Sequence, residues 1–320
     1  MRVLVTGATG KIGHAVGRAL VARGDEVRAL VRDPAKAAIP AGAEPVRGDV
    51  TDTESLAQAV RGCELVFNAM GLPEQWFADP GIFQAVNARG SENVVRAART
   101  AGARRVVHTS TIDVFHAGRG ERFDESRVAD YPKGTAYERS KQEAERLVLS
   151  VGGGIEVVLV NPAAVYGPGP AGSASFEESF FKPLVKKRLP ALPPGGCGVV
   201  YDEGLAAGHL LAADRGRPGE RYILCDRHVS MRELANTVVQ LAGRGRVPRS
   251  LRPGMAQGLA AAGETLSRII RRPPLLPRGQ LYFFMWNAAP DSSKAQAELG
   301  WEPTALDDGV ARTLASMGLA

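Results

Sequence analysis

The sequence predicts a doubly wound α/β domain, built on a parallel sheet, followed by a smaller C-terminal α+β domain. Three observations carry this prediction. Short β-rich runs alternate with amphipathic helical patterns through the first half, a glycine-rich turn at 6–13 follows the first run, and beyond Pro162 the pattern gives way to Pro- and Gly-rich stretches. Strand and helix in alternation imply right-handed crossovers, and hence a parallel sheet covered on both faces.

The elements follow in order. R-V-L-V at 2–5 reads as the first strand, and a helix over 12–23 follows the glycine turn. E-V-R-A-L-V at 26–31, E-P-V-R at 44–47, L-V-F-N-A at 65–69, R-V-V-H-T at 105–109 and I-E-V-V-L-V at 155–160 are further strands, mostly rich in β-branched residues. Between them the spacing of apolar positions predicts helices over 53–60, 81–101 and 136–150. A helix over 203–213 leads to R-Y-I-L-C at 221–225, a strand that returns to the main sheet. The first domain is therefore expected over 1–165 with a return segment at about 200–226, and the second over 166–199 and 227–320. Residues 244–278 are rich in Arg and Pro around one apolar helix, 255–270. A membrane-surface helix and a domain helix capped by basic loops both fit that pattern, and the second is the reading taken.

The chain has 320 residues, 44% of them hydrophobic and 23% charged, which is ordinary globular composition. Forty Lys and Arg against 34 Asp and Glu leave a net charge of +6. Read as arginines scattered over solvated helices, this excess calls for no nucleic-acid partner. Cys63, Cys197 and Cys225 lack metal-type spacing and form an odd set, so isolated thiols in a reducing, cytoplasmic setting are expected and no metal site is. No stretch approaches the ~18 apolar residues of a membrane span, and the first apolar run is too short for a signal-peptide core.

T-G-A-T-G-K-I-G places Gly7, Gly10 and Gly13 where a strand passes into a helix, with Thr9, Lys11 and Ile12 in the same turn. Such a turn lets the backbone approach a pyrophosphate while the helix aims its free N–H groups and positive dipole end at it. The spacing is G-x-x-G-x-x-G, not the commoner G-x-G-x-x-G. At the end of the second strand, V-R-D-P-A-K puts Val31 where an acid would bond the ribose of NAD, with Arg32 next and Lys36 a turn later. Two cations there suit a 2′-phosphate, so NADP is favoured; if Asp33 faces the ribose instead, the cofactor is NAD. In G-D-V-T-D at 48–52, Asp49 beside Val50 is a candidate acceptor for the adenine amino group, or a cap for the helix that follows.

Tyr137 and Lys141 stand four residues apart in A-Y-E-R-S-K, so one helical face presents both. A phenol with a pKa of ~10 is a poor acid or base at neutral pH, and a neighbouring ammonium lowers that value. H-T-S-T-I-D at 108–113 adds hydroxyls at a strand's carboxyl end, where Thr109, Ser110 or Thr111 could hydrogen-bond a carbonyl oxygen as charge develops.

In the order T-G-A-T-G-K-I-G, G-D-V, N-A-M-G, V-N-A-R-G-S-E-N-V, H-T-S-T, Y-E-R-S-K and N-P-A-A-V-Y-G-P-G, the chain resembles the extended short-chain dehydrogenase/reductase superfamily, which includes the NAD-dependent epimerase/dehydratase family. The resemblance implies a Rossmann domain with a small C-terminal substrate domain, and nicotinamide-dependent redox chemistry at a carbinol carbon. It implies that Tyr137 is the catalytic acid/base, Lys141 its partner and Asn87 a support for the lysine, and that Thr111 stands where the superfamily usually has a serine, with Ser110 the second choice. It also implies that Asn68, Ala69, Met70 and Gly71 line the cofactor and that Asn161, Pro162, Ala163 and Val165 lie beside the nicotinamide. V-R-D-P-A-K, Y-E-R-S-K-Q-E-A-E and D-S-S-K-A-Q-A-E-L-G-W-E-P are most similar to the dihydroflavonol-reductase-like and hopanoid-associated epimerase-like branch, whose reductases use NADP. V-V-Y-D-E-G-L-A-A-G-H departs from the superfamily's usual V-D-D-V-A. In the superfamily, helices such as 81–101 and 136–150 often pair subunits, which leaves a homodimer open.

The expected function is reduction of a ketone or aldehyde by NADPH, reversible as an alcohol dehydrogenase, on a small hydrophobic or aromatic substrate. Two other readings stay open. A sugar-nucleotide epimerase or dehydratase would hold NAD tightly and grip a diphosphate, for which Lys182, Lys186, Lys187 and Arg188 are available. A non-catalytic, NADP-sensing regulator would usually have lost the Tyr or the Lys, and both are present.

Overall fold

A computed structural model describes every residue except 74–76, 78, 171–174, 271–273 and 275–276. The Pro-rich stretch after Tyr166 and the end of the 244–278 segment thus fall partly outside the described residues.

Seven strands form the main sheet: β1 (Arg2–Thr6), β2 (Glu26–Val31), β3 (Glu44–Arg47), β4 (Leu65–Asn68), β5 (Arg105–Thr109), β6 (Glu156–Pro162) and β7 (Arg221–Leu224). Their order is β7-β6-β5-β4-β1-β2-β3 and every pairing is parallel. The chain reverses its direction of winding between β1 and β4, which opens a crevice beyond their carboxyl ends. The last strand is the one expected to return from the C-terminal half.

The sheet is apolar on both faces, and the period of two divides its residues cleanly. Val3, Val5, Phe67, Val107, Val158 and Val160 pack under the helices Lys11–Ala22 and Asp202–Arg215. Leu4, Val66, Val106, Val157 and Leu159 face the other way, against Thr53–Ala59, Ser91–Thr100 and Ala136–Val151.

The helix expected over 81–101 is continuous but not uniform. Between Gly81–Phe83 and Ser91–Thr100 it widens to a π-helical stretch, Gln84–Gly90, which holds Asn87. Such widened turns leave backbone groups free to shift and occur often at functional sites. Outside the main sheet, Ala164–Tyr166, Gly196–Tyr201 and Arg227–Ser230 form a three-stranded sheet. It packs against Phe181, Leu234, Val238, Val310 and Leu314 as a second core. The helices Pro253–Ile270 and Arg278–Trp286 lie against one another through Ala256, Ala260 and Leu281.

Candidate active site

Two of the three turn glycines are required by the protein itself. Gly7 has φ +70°, and a Cβ there would stand 2.6 Å from the Ala69 carbonyl oxygen at the end of β4. A Cβ on Gly13 would stand 2.3 Å from the Gly7 carbonyl oxygen, so no side chain fits while the helix stays against the turn. Gly10 differs. Its φ of −92° suits any residue, its N–H donates to the Gly7 carbonyl at 2.8 Å, and the nearest neighbour of an added Cβ is that same carbonyl at 3.3 Å. No side chain caps the helix that starts after Gly10, and no acid lies in its first turn. A bare glycine before an uncapped helix N-terminus is a cradle that fits a phosphate.

Around this turn, Thr9 is exposed and Ile12 half-buried. The Lys11 ammonium turns away to the C-terminal half: it donates to the Gly167 carbonyl at 2.8 Å and pairs with the buried Glu177, which also accepts the Gly167 N–H. At the end of β2, Arg32 is exposed and has no ion-pair partner among the described residues. Asp33 accepts the Ala35 N–H and pairs with Lys36 at 3.3 Å, so both charges belong to the local turn. Asp49 lies half-buried and holds both Thr51 donors, the N–H at 2.8 Å and the hydroxyl at 2.7 Å. Burial pushes its carboxyl up, but those bonds and nearby Arg32 together hold it below the usual range. The cap of the following helix is Asp52, not Asp49.

The catalytic side is organised by the helix Ala136–Val151. Thr135 and Glu138 form a reciprocal capping box, which fixes the helix start one residue before Tyr137. Ser140, Lys141, Ala144, Leu147 and Val148 then face the core at helical spacing. Tyr137 is half-buried with its ring edge toward Phe83, centroids 6.0 Å apart. Lys141 is almost wholly buried and donates to the Thr109 carbonyl at 2.8 Å, at the carboxyl end of β5. Burial pulls the lysine down to about 8, while Glu145 and Asp113 act in the opposite direction.

Asn87 closes this corner from the π-helical stretch. Its oxygen accepts the Leu72 N–H at 2.7 Å, and its amide nitrogen donates to the Leu72 carbonyl and the Ser140 hydroxyl. Gly71 lies on the loop so held: a Cβ there would be 3.6 Å from the Lys141 nitrogen and 3.7 Å from the Asn87 oxygen. The loop after β4 thus passes directly over the lysine, with Ala69 and Met70 half-buried beside it.

The three hydroxyls after β5 have three different environments. Thr109 donates to His209 Nε2 at 2.9 Å, since His209 Nδ1 must donate to the Leu205 carbonyl; burial depresses this histidine to about 4 and keeps it neutral. The Ser110 hydroxyl is buried with no partner among the described residues. Thr111 donates to Asp113 Oδ2 at 2.9 Å and accepts the Asp113 N–H at 3.2 Å. Burial, together with Glu138, raises Asp113 to about 6, against the opposing pull of the Thr111 hydroxyl, Lys133 and Lys141. The sequence singles out the hydroxyls but not Asp113, although it stands in the same H-T-S-T-I-D.

Two residues expected at the cofactor have side-chain amides engaged within the protein. Asn68 accepts the Thr6 hydroxyl at 2.7 Å and donates to His108 Nδ1 at 3.0 Å, wholly buried. Asn161 donates to the Thr111 carbonyl and to Glu145, which Arg221 pairs from β7. Pro162 ends β6, Ala163 bonds through its N–H to the Leu224 carbonyl, and Val165 pairs in register with Val200 of the smaller sheet. Val50 is buried and its carbonyl accepts from Asn93. No cluster of His, Cys, Asp or Glu suited to a metal ion occurs among the described residues.

A phosphate cradle, a buried ammonium one helical turn from a tyrosine, and a bare loop over both fit a dinucleotide lying from Gly10 toward Lys141. Residues 3–224 match the family model described as the NAD dependent epimerase/dehydratase family. The chain is 32% identical over 310 residues to sterol demethylase protein B of Methylococcus capsulatus, covering 95% of this chain and 94% of that protein. It is also 32% identical to 4-hydroxy-2-methyl-3-oxo-4-farnesyl-3,4-dihydroquinoline-1-oxide ketoreductase of Stigmatella aurantiaca, covering 94% and 92%. The Thermus thermophilus UDP-glucose 4-epimerase structure superposes with a TM-score of 0.79 over the whole of both chains at 24% identity, a likeness of fold alone.

Proposed function

Because the chain belongs to the NAD-dependent epimerase/dehydratase family of extended short-chain dehydrogenases/reductases, nicotinamide-dependent enzymes of CH–OH and C=O chemistry, we propose that it is an NADPH-dependent reductase of a ketone or aldehyde. The observation that carries this reading is the buried Lys141 one helical turn from Tyr137, with its ammonium on the strand end that bears Ser110 and Thr111.

When bound, the dinucleotide supplies the hydride. Tyr137 gives the proton to the carbonyl oxygen. Lys141 remains charged at neutral pH, since burial lowers it only to about 8, and its charge stabilises the phenolate that forms. Asn87 keeps the 71–72 loop over the lysine and so positions rather than reacts. Thr111 polarises the oxygen, and to do so it must withdraw its proton from Asp113; protonation of Asp113 makes that release easy.

Arg32, exposed and unpaired among the described residues, supports NADP, because Asp33 is already held within its own turn. The ketoreductase and sterol names of the two relatives support a hydrophobic substrate. We take 1–165 with 200–226 as the cofactor-binding domain and 166–199 with 227–320 as the substrate domain, and the three buried, unpaired cysteines as those of a cytoplasmic protein. The epimerase reading is the weaker, since Lys182, one of its four phosphate-gripping cations, is paired with Glu178 at 2.6 Å. Tyr137→Phe is expected to lower kcat by roughly a thousandfold, within the range for loss of a general acid, while the NADPH Kd stays within about twofold of wild type. An active variant would overturn the mechanism.

A further inference from the structure

The helix Pro253–Ile270 is turned the wrong way for a helix that meets only water and protein. Its small residues Ala256, Ala260, Gly263 and Ser267 follow one another at i, i+4, i+7 and i+11, and all are buried or half-buried. Its large residues Met255, Leu259 and Leu266 each stand one position earlier, and are 57%, 56% and 54% exposed. Tyr282, on the partner helix Arg278–Trp286, is 54% exposed. Eight large apolar side chains are exposed among the described residues, and four of them lie on this one pair of helices. An exposed apolar stripe of this kind marks a surface that is covered in use.

The charge beside it says what covers it. Residues 234–290 contain eight of the chain's 40 Lys and Arg but only one of its 34 Asp and Glu, Glu264. Along the sequence the net charge of +6 is therefore concentrated in this segment, which corrects the expectation of a scattered excess, and the rest of the chain is close to neutral. Glu264 is itself occupied, accepting the Arg278 N–H at 2.9 Å. Arg244, Arg246, Arg249 and Arg252 lead into the helix, exposed and without an ion pair among the described residues. Lys186, Lys187 and Arg188 extend the patch: Arg246 bonds to the Leu184 carbonyl, and Leu192 bonds to Arg249 on one side and Leu251 on the other.

We propose that the face formed by the helices Pro253–Ile270 and Arg278–Trp286 and the arginines before them docks on an anionic membrane surface, lying in its interface. Large apolar residues flanked by unpaired cations are the two attractions such docking uses. No helix among the described residues is long and apolar enough to cross a membrane, so the contact is with one leaflet. The same helix pair is anchored on the chain that follows Thr111: Trp286 donates to the Ala117 carbonyl at 2.9 Å and stacks on Phe123 with centroids 5.0 Å apart. That docking delivers a membrane-dissolved ketone rests on the proposed reduction, whereas the docking itself does not.

The test is flotation of the full chain with vesicles of phosphatidylcholine alone or mixed with phosphatidylglycerol, alongside NADPH oxidation with a water-soluble ketone and light scattering. Wild type is expected to float with the mixed vesicles and to be released by salt. Leu259→Glu with Leu266→Glu, and separately Arg249→Glu with Arg252→Glu, should each lower the bound fraction roughly tenfold with unchanged melting temperature and unchanged turnover of the soluble ketone. Wild type that ignores the mixed vesicles, or variants that float equally well, would overturn the proposal. So would a wild-type dimer that Leu259→Glu with Leu266→Glu splits, since the stripe would then belong to a second copy. Vesicle binding without any ketone turnover would leave the docking standing and remove the reductase reading.

Discussion

The two ends of the proposed cofactor crevice are built on opposite principles. At the phosphate end the work is done by backbone and by the absence of side chains: Gly7 and Gly13 let a strand, a turn and a helix meet at distances no Cβ tolerates. At the reacting end it is done by buried polar side chains, each held by a group from another part of the chain: Lys141 by the Thr109 carbonyl, Thr109 by the His209 ring, Asn161 by the Thr111 carbonyl, Asn87 by the Leu72 backbone. Steric requirements of the first kind are local and all-or-none. Hydrogen-bond networks of the second kind are graded and respond to pH.

The sharpest way to break this contrast is at the glycines. Gly13→Ala forces a Cβ onto the Gly7 carbonyl and is expected to cost about 3 kcal/mol or more of stability even without cofactor, read as a large drop in the apo melting temperature. Gly10→Ala, whose backbone is unstrained, should leave the apo melting temperature within a few degrees yet weaken dinucleotide binding strongly, in a titration of protein fluorescence. Equal destabilisation by both would mean that Gly10 also serves the fold.

At the reacting end, Thr111→Ala is expected to lower kcat by about a hundredfold, as for loss of one donor to a developing oxyanion, with Ser110→Ala much milder. The reverse order would assign the polarising hydroxyl to Ser110, whose Oγ is buried without a partner among the described residues. A smaller effect is expected at the ribose. Arg32→Ala should weaken NADPH roughly tenfold and leave NADH unchanged, measured as paired Kd values, because a charge-assisted bond to a phosphate is worth about that much. Equal loss for both dinucleotides would move Arg32 away from the 2′-phosphate.

The mildest expected effect is a change of pH profile. Asp113 is raised to about 6, so its carboxylate holds the Thr111 proton above that pH and releases it below. The kcat of reduction should therefore show an inflection near pH 6 that Asp113→Asn removes. The sign for stability is fixed by the same shift. A carboxyl raised in the folded state binds its proton there between pH ~4 and ~6 while the unfolded chain has lost it, so this group's contribution falls as pH rises through that window. Asp113→Asn should flatten that part of a melting-temperature profile.

Much of this is legible in order along the chain. The seven strands of the main sheet lie within two residues of where the sequence puts them, whereas those of the smaller sheet have no such reading; the turn glycines meet as their spacing implies, and Tyr137 and Lys141 share a helical face because four residues make one turn. What is not legible involves partners far away in sequence or a choice of face. Lys11, expected at the cofactor, sends its ammonium to Glu177; Asn68 turns its amide to His108 on the neighbouring strand and Asn161 turns its own to Glu145 on the covering helix, because the pleat decides which way a strand residue points. Asn87 is expected on a regular helix; the π-helical stretch that holds it has no one-residue signature.

By itself, then, the sequence determined the doubly wound sheet, the glycine turn and the shared helical face of Tyr137 and Lys141, because periodicity, backbone sterics and helical pitch act largely between near neighbours. Only the tertiary structure decided which hydroxyl donated its hydrogen bond to a carboxylate, where the asparagine amides turned, and which side of the helix Pro253–Ile270 stayed outside. Those outcomes depend on burial and on contacts between residues as far apart as Thr109 and His209, and no local pattern encodes them.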